Sequence, residues 1–381
     1  MPPTYALSDL HLHDDDQRFL FTGRKQTVFE VLAAEILAEN GEMVLAGDVF
    51  DLTGIQPPGA GLATFLDSVL PLTLQRDASL ERYARQRPVG ERLAAIADRF
   101  PGVFSALAPL AAKGRLHIIP GNHDCELRDP EARTTLARLL ACSEDQLGLE
   151  SAYSPPGTNV LVGHGNGFDP SNLTDHTCAN PGAAITSALY CAVVPALRLL
   201  DIPPGIVSAL TAVRPEEKIV DALATHLGAA AQPFLNHFVR LLDANGYFDG
   251  ILEKLEVWAG QALGLITLDA VRNALRDDTD VSDRARAGAE ALRRKHAAAG
   301  QTVDLVVLGH THVVDLAPGY VNLGTWIDAV KGFSDAELAS ADRRLPVLRI
   351  DAGGEWSFRD VADLPETGGF DSCRAITVEA R

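Results

Sequence analysis

Five times along this chain an apolar run ends in a short polar cluster: SDLHLH at residues 8–13, GDVFD at 47–51, GNHD at 121–124, GHGN at 163–166 and GHTH at 309–312. No other feature restricts the fold as much. Strands that run into polar turns, with helical stretches between them, indicate a layered α/β core. In such a core, sites form at the carboxyl ends of the strands, where these clusters would lie. Within GDVFD the carboxylates of Asp48 and Asp51 are separated by two residues and follow Gly47, whose bare backbone leaves room for a close approach.

The intervening stretches are read more coarsely. Residues 26–38 place Val28, Phe29, Val31, Leu32, Ile36 and Leu37 at helical spacing, with Gly41 as the stop. Residues 91–112 read as helix broken at Pro101 and Pro109, and 130–140 as a helix opening on Pro130. Residues 53–90, rich in Pro and Gly and then charged, read as an insertion. From 169 to 300 the chain becomes Ala- and Leu-rich without clear strands; 215–227, 233–242, 251–263 and 282–299 carry apolar i, i+3, i+4 spacing. Strands resume at VDLVVLGHTH and GYVNLGTW and end in a hairpin turning on Gly353 and Gly354. The expected organisation is a first core part at 1–168, an all-helical insertion at 169–300, and a last core part with the C-terminal tail at 301–381.

Charge excludes one class of partner. The 51 acidic residues outnumber the 33 basic ones, for a net charge of −18. Such a field repels a phosphate backbone at a distance and argues against nucleic acid. An anionic small molecule is still admitted where a cation sits in the site. The five cysteines form no CxxC pair, so neither a disulfide framework nor a zinc ribbon is expected, and a reducing cytoplasm fits. Cys125, beside GNHD, reads as a small packing residue. The N-terminal MPPTYALSDLHLH lacks the build of a signal peptide. The apolar run at 183–200 holds Thr, Ser, Pro and Arg and reads as a buried or lipid-surface helix. A cytoplasmic protein is expected, with peripheral membrane contact and self-association left open.

The polar clusters have the composition of a metal site. Asp9 with His11, and His310 with His312, alternate along extended chain and so share a face. Carboxylate, imidazole and amide ligands without thiolate suit divalent ions such as Mn, Fe or Zn. Two ions about 3.5–4 Å apart need a shared ligand and roughly three others each. Asp9, His11, Asp48, Asn122, His164, His310 and His312 make seven protein ligands. With Asp48 shared, that is four per ion. His13 and the run Asp14 to Asp16 read as a solvated or supporting group and a solvated loop; His176 and His226 read as structural, with a ligand role left open for His176, which follows GHGN closely.

The order D-x-H, G-D-x-x-D, G-N-H-D, G-H, G-H-x-H resembles that of the calcineurin-like metallophosphoesterases, over roughly residues 4–165 and 301–362. The resemblance implies a four-layer α-β-β-α core, a two-sheet sandwich flanked by helices, with a large all-helical insertion. It implies two divalent ions, with Mn first and Fe or Zn as alternatives. Asp9, His11, Asp48 and His312 would hold one ion, and Asp48, Asn122, His164 and His310 the other. Asp51 would hydrogen-bond His123, orienting it toward the leaving-group oxygen as a general acid or charge stabiliser. Asp124 would support the turn or His123, and Asn322 and Gly324 would line the turn near the metals.

The reaction implied is hydrolysis of a phosphoester or pyrophosphate bond by a metal-bridging hydroxide. The substrate class is open. A helical insertion directly after GHGN is similar in layout to the lid of UDP-2,3-diacylglucosamine hydrolases, which suggests a nucleotide-linked or lipid-like phosphorylated substrate. That group carries Arg where His123 stands, and this insertion is longer. The alternative is a soluble phosphomonoesterase or nucleotide phosphodiesterase whose helical block is a specificity cap or dimer interface. A non-catalytic metal-binding scaffold is the reading from another class.

Overall fold

Thr4–Leu7 (β1) shows how the core is laid out. Tyr5 and Leu7 belong to one apolar cluster and Ala6 to another, the period-two alternation of extended chain covered on both faces. Glu42–Leu45 (β2) pairs with it in parallel, Thr4 against Glu42 and Leu7 against Leu45. It divides its residues in the same way: Met43 and Leu45 join the first cluster, Val44 the second. The structure, a computed structural model, describes residues 1–14, 21, 23–52, 87–173, 178, 281–328, 330, 336, 343–367, 369 and 373–375. The helices expected at 215–227, 233–242 and 251–263, the run at 183–200, and His176 and His226 lie outside the described residues.

Leu116–Ile118 (β3) and Leu147–Leu149 (β4) extend the sheet in parallel on the β2 side. Pro346–Ile350 (β9), Trp356–Asp360 (β10) and Arg374–Ala375 (β11) extend it antiparallel on the other, giving a seven-stranded order β11-β10-β9-β1-β2-β3-β4. A second sheet of four strands has the order β5-β6-β8-β7, from Val160–Val162 (β5), Leu305–Leu308 (β6), Val314–Ala317 (β7) and Tyr320–Leu323 (β8). In it β5, β6 and β8 are parallel and β7 is antiparallel to β8.

Helices cover what the strands expose. Gly23–Ala38 (α1), Val89–Arg99 (α2), Pro101–Ala112 (α3) and Pro130–Leu139 (α4) place Phe29, Leu93, Leu107 and Leu136 in the cluster shared with Tyr5 and Leu45. The second cluster draws Ala6, Val44 and Leu348 from the larger sheet and Val162, Val307 and Val321 from the smaller. Val281–Ala298 (α5) buries Ala285 and Ala289 against Val306, Leu308 and Tyr320. A short helix, Leu364–Thr367 (α6), precedes β11. The arrangement is mixed α/β, with two mixed sheets and helices.

Several local expectations change. The helical stretch near 91–112 breaks at Phe100, between α2 and α3, but not at Pro109, which lies within α3. A proline near a helix C-terminus removes one hydrogen bond, and burial of Val103, Phe104, Leu107, Leu110 and Ala111 holds the segment. The left-handed residue after α1 is Asn40, at φ +65°, rather than Gly41. Strands β4, β7 and β11 were not expected; they are short, and β7 is only half-buried. His13 is buried and meets the Phe100 ring edge-on, with centroids 6.1 Å apart, rather than being solvated. Asp14 forms an ion pair with Arg87 and lies 3.7 Å from Arg92, which corrects the solvated-loop reading at that residue.

The cysteine reading is also corrected: Cys125 and Cys178 form a disulfide. Cys125 is buried, as a packing residue would be, and is also a covalent tie. Spacing hid the pair because its partners are 53 residues apart in sequence. Among the described residues no single helix is long and apolar enough to cross a membrane; α2 and α3 pass by composition only as a pair bent by 106°. Their apolar residues lie in the core.

Candidate metal centre

Parallel pairing of β1, β2 and β3 brings their carboxyl ends to one edge of the larger sheet, and that of β5, β6 and β8 does the same in the smaller. Backbone hydrogen bonds stitch these ends together. Asp9 and His11 donate from N–H to the carbonyls of Gly47 and Asp48, each at 3.0 Å, and Gly309 donates to His164 at 2.8 Å. Trp326 N–H and the Thr325 hydroxyl reach the Asp9 carbonyl at 3.1 and 2.9 Å. Asn322 donates to the Gly309 carbonyl at 2.7 Å and accepts from Gly324 N–H at 3.1 Å, so it braces the turn that carries His310.

The backbone is unusual at these ends. Asp9, His11, Asp48, His310 and His312 all have positive φ, between 50° and 71°. Asp and His visit this region more readily than most residues, but each such residue still costs of order 1–3 kcal/mol. The gain is direction, since the turn aims each side chain back over the strand ends. The glycines of the clusters serve the same end. A Cβ on Gly47, at φ +93°, would collide with the His164 ring, and one on Gly121 with the Asp48 carboxylate.

One ligand atom each from Asp9, His11, Asp48 and His312 lies within 4.8 Å of the others, and the same holds for Asp48, His164 and His310. Asp48 belongs to both groups. In each carboxylate one oxygen is held and the other presented. Asp9 Oδ2 accepts from the Ser8 hydroxyl and, at 3.0 Å, from His310 N–H. Asp9 Oδ1, buried, accepts no hydrogen bond among the described residues and lies 3.1 Å from His312 Nε2 and 3.8 Å from His11 Nε2. Asp48 Oδ1 accepts from His123 N–H at 2.8 Å. Its Oδ2, likewise without a hydrogen bond among the described residues, lies 3.2 Å from His164 Nε2. The His11 and His312 Nε2 atoms are 3.1 Å apart, and Asn122 Oδ1 is 3.1 Å from His164 Nε2. Carboxylate oxygens and ring nitrogens that converge in this way fit a divalent cation.

Asp51 is shared differently from expectation. Its Oδ1 is hydrogen-bonded to His11 Nδ1 at 2.8 Å and lies at ion-pair distance, 3.1 Å, from His123 Nδ1. His11, Asp51 and His123 form a third group of metal-capable residues. His123 is the partly exposed member, its side chain 21% accessible. Asp124 supports the turn: it accepts from Gly121, Val49 and Phe50 N–H at 2.6, 2.8 and 3.3 Å.

Charge in the cluster is concentrated and buried. Burial alone would lower His11 and His164, but Asp51 beside the first and Asp48 beside the second raise them to about 10 and about 9. Burial would raise Asp9, Asp48 and Asp51, yet hydrogen bonds and imidazole charges hold all three below the usual carboxylate range. Asp124 is pushed up to about 7 by burial and by Asp48. These carboxylates demand positive charge. Ring protons and divalent cations both supply it, and they compete for the same atoms.

All the residues expected at the site come together: Asp9, His11, Asp48, Asp51, Asn122, His123, His164, His310 and His312. Sequence reading missed four others. Asp169 accepts from His310 Nε2 at 2.9 Å, and Asn172 bonds Asp169 and Asn122. Arg92 holds the Asp51 and Leu52 carbonyls, and Arg284 lies 3.7 Å from Asp169. None follows an apolar strand, so the signal that marked the other residues is absent. No family model and no curated protein matches the chain.

Proposed function

We propose that this chain is a two-metal phosphoesterase, a hydrolase of the calcineurin-like metallophosphoesterase type with a four-layer α-β-β-α core. The observation that carries the reading is the pair of convergent groups that share Asp48. Asp9, His11, Asp48 and His312 would hold one divalent ion, and Asp48, Asn122, His164 and His310 the second. When bound, the ions would supply Lewis-acid polarisation of phosphoryl oxygens and a lowered pKa for water. Oxygen and nitrogen donors without thiolate favour Mn, with Fe or Zn as alternatives.

The chain's own groups divide the remaining work. Asp9 and Asp48 each spend one oxygen on protein donors, which fixes the direction of the other. Asp51 orients the His11 ring through Nδ1 and lies against His123 Nδ1. His123 is the partly exposed imidazole of the cluster and is assigned to the leaving-group oxygen, where it would donate or hold a proton. The net charge of −18 favours a small phosphorylated or lipid-like substrate over nucleic acid.

Hydrolysis of bis(p-nitrophenyl) phosphate and p-nitrophenyl phosphate with added Mn²⁺ tests the reading. Turnover that chelation abolishes and Mn²⁺ restores is expected. Preference for the first substrate marks a diesterase and for the second a monoesterase. A chain that binds metal but turns over neither of these nor a nucleotide-linked pyrophosphate is a scaffold.

A further inference from the structure

We infer that the turn carrying Asp169 and Asn172 is a positioning bracket for one ion of the proposed centre; the inference rests on the two-metal reading. Asp169 is buried and accepts from His310 Nε2 at 2.9 Å. A carboxylate there places the proton on Nε2 and leaves Nδ1 as the His310 atom for a cation. Asp169 lies outside the groups whose atoms converge within 4.8 Å, so it acts through His310 rather than as a ligand.

The same turn fixes a second ligand. Asn172 Oδ1 accepts from Asn122 Nδ2 at 3.2 Å, which commits the amide orientation and presents Asn122 Oδ1, 3.1 Å from His164 Nε2. Asn172 Nδ2 in turn donates to Asp169 Oδ2 at 2.8 Å. One two-residue bracket therefore orients His310 and Asn122, which are assigned to the same ion with His164 and Asp48.

The bracket is itself held. Asn172 N–H donates to the Asp169 carbonyl at 3.0 Å, and Asn166 Nδ2 to the Asn172 carbonyl at 3.0 Å. Phe168 packs on α5 at Gly288, where a Cβ would collide with its ring. Arg284 of α5 faces Asp169 at 3.7 Å. The bracket thus joins α5 to GNHD and GHTH. Metal-ligating imidazoles commonly depend on such a partner, and its removal costs about 10- to 100-fold in metal affinity.

The test is Mn²⁺ titration by calorimetry on full-length protein stripped of metal, alongside thermal unfolding. Wild type is expected to show two classes of site. D169A should weaken one class by about 10- to 100-fold and leave the other unchanged. N172A should weaken that same class, and D169N, which keeps an acceptor oxygen, should weaken it less than D169A. In a background that carries both H310A and N172A, D169A should have no further effect on that class, because positioning acts through His310 and, by way of Asn172, through Asn122; a merely structural role would persist there and would depress both classes together. If D169A does not fold, D169N and N172A carry the comparison. Two unchanged classes in every foldable variant would overturn the bracket alone. Wild type that binds no Mn²⁺ would overturn the two-metal reading and the bracket with it.

Discussion

At the scale of single residues, Asp48 and His123 are adjacent yet should fail differently. Asp48 belongs to both convergent groups, and its Oδ1 is fixed by His123 N–H at 2.8 Å. Asp48→Asn removes the shared charge, so metal content and activity should fall together. His123→Ala should keep metal content close to wild type and lower kcat by about 10²–10⁴, the usual worth of a positioned acid or base. Metal analysis beside steady-state kinetics separates them; equal metal loss in both variants would place His123 among the ligands. Gly47 gives a second prediction. At φ +93° and against the His164 ring, Gly47→Ala should destabilise by more than the roughly 1 kcal/mol that backbone entropy changes carry, read as a lowered urea midpoint. The candidate ligands were legible because each follows an apolar strand. The left-handed backbone at Asp9, His11, Asp48, His310 and His312 was not, since no glycine marks it.

Elements show where local reading ends. The parallel strands other than β4, together with α1 and α4, follow from apolar spacing and a proline at the helix start, all of it within a short window. Asp169 and Asn172 sit in a polar turn and gain meaning only when the chain folds back on GNHD and GHTH, so no local pattern marks them. The Cys125–Cys178 disulfide is of the same kind, a pairing set by the fold across 53 residues. It ties the turn after GNHD to the segment after Asn172. Closing a loop of that length contributes about 4 kcal/mol in the chain-entropy model. Alkylation of unfolded protein should modify Cys125 and Cys178 only after reduction, and reduction should lower the unfolding midpoint. Labelling of both without reductant would disprove the bond.

His117 on β3 sets a pH dependence away from the site. Its ring lies 3.9 Å, centroid to centroid, from that of Tyr153, and burial lowers its pKa against the opposing pull of Glu42 and Glu150. The unfolded chain then binds the proton more readily, with a pKa of about 6.5. Stability from this residue is present above that value and is lost as pH falls below it. His11, His164 and Asp124, all raised in the folded chain, act in the opposite sense over this range, so the His117 contribution is read as a difference: the urea midpoint of His117→Phe should rise relative to that of wild type as pH falls from about 7 to about 5.5. A difference that does not change with pH would show that His117 carries no such contribution.

For the whole molecule, the question is what two sheets and an acidic surface are arranged around. The carboxyl ends of β1, β2 and β3 meet those of β5, β6 and β8, and backbone bonds such as Trp326 N–H to the Asp9 carbonyl hold the two sheets' loops in register. This meeting was legible as a list of polar strand ends but not as a geometry, because strand order, crossovers and register depend on contacts far apart in sequence. On the proposed function, the meeting point would hold two divalent ions that share Asp48. Counting ions after dialysis of the full chain against Mn²⁺ tests it most directly. The prediction is two per chain in wild type and a loss of both in Asp48→Asn; a wild-type chain that retains one ion or none would contradict it.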